Sequence, residues 1–372
     1  MKVAISRGDL VKTLGSVHSV VERRNTIPVL SNVLLAAGQG QLRFTATDLD
    51  IEINARADAD VIRPGEITTP AATLYEIARK LHDSAIVSLE LDGSEQRLNV
   101  SAEKSRFSLP VLPQSDFPTM AQENFSARFM IGARDLARLI EKTEFAISSE
   151  ETRFYLNGIF LHVVQNGAGK VLRGVATDGH RLALAELPAP SAADNMPSVI
   201  VPRKAVNQIK ALIASYADDV ELALSENKVR LAVGATTLTS KLIDGSFPDY
   251  QRVIPKNNGR ILKIENRLFA EAVDRVAIVS AERSNSIRLA MTGGSLRLSA
   301  TNPDAGIAEE EVPANYDRDP FEIGFNAKYL LAVSKQIEGE DAQFEFAESG
   351  SPTLVRDPEN PHALFVLMPL RV

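Results

Sequence analysis

The sequence predicts an α+β fold of three tandem units, each with two helices packed on antiparallel sheets, and three observations predict it. Amphipathic segments with apolar residues at helical spacing recur roughly 130 residues apart: Leu10, Leu14, Val17 and Val21, then Leu136, Leu139 and Ile140, then Phe269, Ala272, Val273 and Val276. Downstream of each lies an alternating apolar and polar stretch with the shared pattern L-R-x-x-A-T-[DN], whose threonine falls at Thr47, Thr177 and Thr301. A second helical segment then follows in every unit: TTPAATLYEIARKL, VIVPRKAVNQIKALI and IGFNAKYLLAVSKQI.

Taken in order, each unit reads as helix, strands, helix and strands, about eight short strands in all. The closing strand pairs surround turn signals such as Asp92-Gly93 and Glu226-Asn227. The first two units end in matching phrases, Asp116-Phe117-Pro118 and Ser246-Phe247-Pro248. These endings predict repeats at 1–124, 125–252 and 253–372. The period is far too long for a solenoid.

Of the 372 residues, 44% are hydrophobic, enough for substantial cores, and 24% are charged, as in globular chains generally. No stretch approaches the roughly 18 apolar residues of a membrane span, and the start, MKVAISRGDL, acquires acid too early for a signal core. The absence of cysteine removes disulfides, thiolate metal sites and cysteine nucleophiles, and suits a cytoplasmic, bacterial-type setting.

The net charge of -7 by itself argues against nucleic acid, but the charge is unevenly placed. Over the six predicted helical segments Lys and Arg exceed Asp and Glu by 8, so the remainder carries -15. Six helices cannot easily enclose anything, whereas a two-fold dimer supplies twelve. Twelve helices about 10 Å wide span roughly 120 Å, a ring about 38 Å across at the helix axes with a hole a little under ~30 Å, room for a duplex of roughly 20 Å. A basic lining would hold DNA through phosphates without reading bases.

Several phrases, in order and along the whole length, carry a resemblance: Thr26-Ile27-Pro28, Tyr155-Leu156-Asn157-Gly158, Ala176-Thr177-Asp178-Gly179-His180-Arg181-Leu182, Val201-Pro202-Arg203-Lys204, Phe247-Pro248-Asp249-Tyr250 and Met368-Pro369-Leu370-Arg371. With the three-fold repeat, the chain resembles the β subunit family of bacterial DNA polymerase III, the sliding clamps. The resemblance implies clamp-type repeats in a head-to-tail homodimeric ring, helices lining a central hole, that encircles duplex DNA. It implies loading by an ATP-driven clamp loader, and tethering of the polymerase III alpha subunit and other DNA polymerases or repair proteins by short peptide motifs. No catalytic site, cofactor, metal or membrane is implied.

The same resemblance implies a partner peptide pocket of Leu156, Thr177, Gly179, Leu182, Pro248, Val253, Val366, Leu367, Met368, Pro369, Leu370 and Arg371, with His180, Arg181 and Arg252 at its rim. An apolar cleft with a few polar donors suits an extended segment carrying Gln, Leu and Phe. Residue by residue, these hydrophobes read sooner as ordinary core, and only the family pattern lifts them above that reading. For DNA, the resemblance implies backbone contact at Arg24 and at Phe154 and Tyr155. Two departures stand out: Ala72 replaces a basic residue, and Glu150 replaces an uncharged polar one, an acid that should weaken phosphate contact. Arg23, Arg138, Lys142, Arg203, Lys204 and Lys210 are further expected contributors. The implied dimer seam joins Phe107 and Leu109 to Ile278 and Val279.

Other readings of these residues differ in class. Asp178 and His180 could form an acid and base pair of a hydrolase, but the five histidines are scattered and none has metal-ligand spacing. A polar turn, with Asp178 bonding its own backbone and Gly179 supplying a special dihedral, is the simpler reading. Gly167-Ala168-Gly169-Lys170 resembles the end of a phosphate loop, but Val171 stands where Ser or Thr is needed, and a hairpin loop fits better. A monomeric peptide-binding scaffold is the third alternative.

Overall fold

Helix and strand propensities are realised in the repeating order that the periodicity requires. The structure, a computed structural model, describes residues 1–21, 26–93, 96–121, 123–167, 169–280 and 285–371. The first repeat contains β1 (Lys2–Ser6), α1 (Arg7–Val17), β2 (Asn32–Gly38), β3 (Gln41–Thr47), β4 (Ile51–Asp58), β5 (Asp60–Arg63), β6 (Gly65–Pro70), α2 (Ala71–Lys80), β7 (Ile86–Asp92), β8 (Arg97–Ala102) and β9 (Ser105–Pro110). The second contains β10 (Ala127–Gly132), α3 (Ala133–Glu144), β11 (Gly158–Asn166), β12 (Gly169–Thr177), β13 (Arg181–Pro188), β14 (Val199–Pro202), α4 (Arg203–Ile213), β15 (Asp219–Leu224), β16 (Lys228–Val233) and β17 (Thr236–Lys241). The third contains β18 (Arg260–Glu265), α5 (Asn266–Ala277), β19 (Ser286–Thr292), β20 (Ser295–Asn302), β21 (Gly306–Pro313), β22 (Phe321–Asn326), α6 (Ala327–Ser334), β23 (Asp341–Phe346), β24 (Thr353–Asp357) and β25 (Asn360–Leu367).

Two compact units result. One comprises residues 1–134, 190–197 and 204–242, the other 135–189, 198–203 and 243–372. The first holds a five-stranded sheet, β5-β1-β7-β8-β9, and an eight-stranded sheet, β10-β15-β16-β17-β4-β3-β2-β6. The second holds an eight-stranded sheet, β14-β11-β12-β13-β25-β24-β23-β18, and a four-stranded sheet, β21-β20-β19-β22. Each eight-stranded sheet therefore joins strands of consecutive repeats. In one, β17 pairs β4 with Leu238 opposite Ile53; in the other, β13 pairs β25 with Ala183 opposite Phe365.

The apolar stripes explain why the helices sit on these sheets. In α1, Leu10, Leu14 and Val17 are buried against β3 and β4, and each fully buried Leu or Val contributes about 1.5–3 kcal/mol. Ser6 starts the helix: its Oγ accepts a hydrogen bond from the Asp9 N–H at 3.0 Å, satisfying a donor that the first turn leaves unpaired. Asn326 does the same for α6 through Lys328 N–H at 2.9 Å. In α5, Phe269, Ala272, Val273 and Val276 form the buried face.

The first helix is shorter than its sequence pattern. It ends at Val17, and a 3-10 turn over His18–Val20 carries Val20 into the core. Arg23 and Arg24 lie outside the described residues. Strands β11 and β12 pair with Asn166 opposite Gly169, at the place of the Gly-Ala-Gly-Lys phrase; Ala168 lies outside the described residues.

Candidate partner-peptide and DNA-contact sites

The shared Leu-Arg-x-x-Ala-Thr-[Asp/Asn] pattern ends in a turn whose geometry recurs. In the second repeat Thr177 Oγ1 donates to the Arg181 carbonyl at 2.7 Å, and Asp178 Oδ1 accepts from the N–H groups of His180 and Arg181 at 2.9 and 3.0 Å. In the first, Thr47 Oγ1 donates to Ile51 O at 2.8 Å, and Asp48 Oδ1 accepts from Asp50 and Ile51 N–H at 2.9 and 2.7 Å. Asn302 accepts from Asp304 N–H in the third. The Thr and the Asp or Asn are thus consumed in closing a turn. Asp178 is further bound to the Arg181 guanidinium at 3.0 Å and makes no contact with the His180 ring. An acid and base pair at this turn has no geometric support.

Around that turn the structure places the C-terminal members of the expected pocket, within one unit. Strand β25 brings the tail alongside β13, with Leu367 opposite Arg181 and Val366 opposite Leu182. Met368 N–H then donates to His180 O, and Leu370 N–H to Gly324 O, each at 2.8 Å. These two bonds fix Met368, Pro369 and Leu370 between the turn and β22. Thr177 and Arg181 are half-buried there, whereas Gly179, His180 and Arg371 are exposed. The Arg181 guanidinium is stacked between Tyr329, 4.6 Å from the ring centre, and Phe145, at 5.3 Å. Burial raises the Tyr329 phenol above its usual range, so it stays a neutral donor.

Burial divides the apolar members into two sets. Leu156, Leu182, Val366 and Leu367 are buried, and Leu182 and Val366 belong to a core with Val175, Leu184, Tyr250 and Leu354. Side chains buried in this way could contribute only the floor of a cleft. Pro248, Arg252, Val253 and Met368 are exposed, and they are the groups an incoming segment would touch. Gly158, in the Tyr155–Gly158 phrase, is required by close approach: a Cβ there would lie 2.3 Å from Val201 O.

A polar network beneath the floor was not foreseen from the sequence. Tyr250 begins the 3-10 turn that presents Arg252 and Val253. Its hydroxyl accepts from Arg173 Nη1 at 2.8 Å and lies 2.9 Å from His162 Nε2. The phenol oxygen can accept a second hydrogen bond from Nε2–H or give its own hydrogen to a bare Nε2, so a neutral imidazole satisfies the contact in either tautomer. Burial and the Arg173 charge both push the His162 imidazole down to about 4. Glu186 completes the set by pairing with Arg173. The signal was present in the repeated Arg of the L-R-x-x-A-T pattern, but only the fold shows that Glu186 and Tyr250 face it.

Of the DNA-contact residues, Phe154 and Tyr155 lie on a 3-10 segment over Glu151–Leu156, Phe154 being 51% exposed, with the two rings edge to face at 5.8 Å. Glu150 differs from expectation. Arg153 Nε donates to it at 2.7 Å and holds its carboxyl below the usual range, so the acid is neutralised locally. Arg24 lies outside the described residues. Arg138 and Lys142 also differ: both bind Glu338, and Lys142 is buried with its amine on the Gln336 carbonyl, unavailable to phosphate. Arg203 bonds the carbonyls of Ile147 and Ser148, and Lys204 pairs with Asp48. Among the described residues no group of His, Asp and Glu is arranged to hold a metal, and no helix is long and apolar enough to cross a membrane.

Tandem repeats of two helices on antiparallel sheets, sheets continued from one repeat into the next, and an apolar floor beneath a polar turn define a clamp-type protein built from repeats. Comparison with known proteins agrees. Residues 1–121, 130–249 and 251–371 match the N-terminal, central and C-terminal domains of the DNA polymerase III beta subunit. The beta sliding clamp of Caulobacter vibrioides is 56% identical over 372 residues, all of both chains. The solved Caulobacter crescentus pol III beta superimposes with a TM-score of 0.96 at 55% identity, and a Bartonella birtlesii sliding clamp bound to griselimycin with 0.97 at 45%, each covering both chains fully. The chain belongs to the DNA polymerase III beta subunit family.

Proposed function

We propose that this chain is a DNA sliding clamp, a non-catalytic processivity factor that works in the bacterial cytoplasm as a head-to-tail homodimeric ring around duplex DNA. One observation carries the reading. The third strand after the first helix of repeat one, β4, pairs with the last strand of repeat two, β17; its counterpart in repeat two, β13, pairs with the last strand of repeat three, β25. The counterparts left over are β21 in repeat three and β9 in repeat one, and each ends its sheet. A second copy supplies both missing partners, giving two identical seams and no free sheet ends there. The charges suit this pairing: β9 and its turn carry Lys104 and Arg106, and β21 carries Glu309 and Glu311 beside Glu310, which Arg275 already holds. Phe107 and Leu109 lie on β9, and Ile278 and Val279 follow α5, the helix that packs on β21.

In this reading the repeats divide near residues 124 and 252. Weak phosphate contacts from the helices and from Arg24, Phe154 and Tyr155 permit sliding, and enclosure prevents dissociation. Partners such as the polymerase III alpha subunit, the clamp loader and repair polymerases dock short peptides against Met368, Pro248, Val253 and the His180 turn. A Caulobacter crescentus clamp with polyethylene glycol bound in a region proposed for beta-motif tethering supports such a site in a relative. The test is retention on DNA after loading by an ATP-driven loader. Protein should stay on a nicked circle through gel filtration in salt and leave once the circle is cut. Equal retention on circular and linear DNA would overturn enclosure.

A further inference from the structure

The L-R-x-x-A-T arginine meets different partners in the three repeats. Across the sheet, Arg173 stands opposite Glu186 and Arg297 opposite Glu311, but Arg43 stands opposite Arg56. Like charges placed directly opposite on a sheet repel. A second such arrangement adjoins it: Arg128 and Arg230 both stand opposite Ala223 from its two sides, and their guanidiniums lie 5.6 and 5.9 Å from the centre of the same Phe125 ring. All four arginines line one cavity of about 820 Å³, and none has a carboxylate partner among the described residues. The two acids in its wall are engaged elsewhere. Glu52 accepts from Met120 N–H and the Asn54 amide, and Glu123 pairs with Lys228.

We infer that this cavity is an anion site for a compact compound carrying several linked phosphate groups. The cavity falls within the usual 300–1,000 Å³ of small-ligand sites, and planar guanidinium forks fit phosphate oxygens two at a time. Four of the strands that wall it, β3, β4, β16 and β17, are interior to their sheet with their backbone groups paired, and only β10, which carries Arg128, ends the sheet, so most of the wall offers a peptide main chain no edge to bind. Phe125 has guanidiniums against it, which leaves the phosphate chain rather than an aromatic base as the recognised part. The wall is also the face of the sheet turned away from α1: Phe44 and Ile53 are buried on the helix side, and Arg43, Asn54 and Arg56 alternate to the other. The enclosed duplex of the proposed ring is therefore not the occupant.

Titration calorimetry of the full chain at low salt, with inorganic tripolyphosphate, ATP and monophosphate as probes, tests this. Tripolyphosphate and ATP should bind at least ten-fold more tightly than monophosphate. A tighter tripolyphosphate points to free polyphosphate as the natural source, and a tighter ATP to a nucleotide. Arg56→Gln with Arg230→Gln should weaken both at least ten-fold, while Lys80→Gln with Lys335→Gln, the same charge change elsewhere, should shift them less than two-fold. Removing Arg56 relieves repulsion, so the apo melting temperature of Arg56→Gln should not fall, which separates lost binding from misfolding. No binding of either probe, or equal weakening by the two double variants, would overturn the assignment.

Discussion

His162 is kept neutral by its surroundings, 6% exposed and facing the Arg173 charge across the Tyr250 hydroxyl. Its folded value, about 4, lies below the unfolded 6.5, so as pH falls through this window the unfolded chain takes up a proton that the folded chain refuses. The contribution is fully present above about 6.5 and is lost towards 4, on the order of 3 kcal/mol in all. Urea unfolding at pH 7 and pH 4.5 should show a smaller stability difference for His162→Gln than for the parent; identical differences would sink the assignment. Met368, 37% exposed beside the His180 turn, is the other decisive residue. Met368→Ala should weaken a fluorescent Gln-Leu-x-Leu-Phe peptide five- to thirty-fold, about 1 to 2 kcal/mol, with dimerisation unchanged by sedimentation. Unchanged affinity in a folded variant would mark the tail as structural only.

At the scale of elements, the turn closed by Thr and Asp appears with two different residues at its left-handed position. Gly179 adopts φ 89°, and Leu49 holds the equivalent place between β3 and β4 at φ 79°. An L-residue with a side chain is strained there by roughly 1–2 kcal/mol. Gly179→Leu should therefore destabilise by about 1–2 kcal/mol, the more so because a Cβ would come within 2.7 Å of the Arg153 guanidinium. Leu49→Gly should be near neutral, since relief of strain offsets the entropy glycine loses and the side chain is partly exposed. Thermal melts of both variants decide it, and an equally destabilising Leu49→Gly would show that Leu49 packs rather than strains. The turn was legible in the sequence because Thr, Asp and Gly act within four residues. The Tyr250 network was not, because Arg173, His162 and Tyr250 are brought together only by strand pairing and a distant 3-10 turn.

For the whole molecule the open ends β9 and β21 matter most. Ile278 is 81% exposed at the end of α5, and Phe107 is partly exposed on β9, apolar surface that a seam would cover. Leu109, on the same face of β9 two residues along from Phe107, is buried, so it would support that face rather than be exposed for a partner. Replacing Ile278 and Val279 together by Ala should cost on the order of 1–3 kcal/mol at each of two seams, and analytical ultracentrifugation at nanomolar concentration should then show monomer. A variant as dimeric as the parent would place the seam elsewhere. The basic character of the helices is also smaller than a charge tally suggests: Lys142 is buried on Glu338, and Arg275 pairs with Glu310. In the proposed ring, phosphate attraction along the helices would be correspondingly weak, which suits sliding.

The sequence by itself determined the α+β class, the three-fold order of elements, the helices and the turn chemistry. Those follow from periodicity and from side chains acting on their own neighbours, interactions of short range along the chain. Only the tertiary structure decided which strands continue a sheet from one repeat into the next, which apolar residues form a buried floor and which an exposed rim, and which charges are spent. Leu182 and Met368 are both apolar in matching phrases, yet one is core and the other surface. Arg43 and Arg173 occupy the same place in a repeated pattern, yet one faces Arg56 and the other Glu186. These distinctions depend on cross-strand register and burial between residues far apart in sequence, where the alternation of a strand states which residues share a face but not what will stand opposite them.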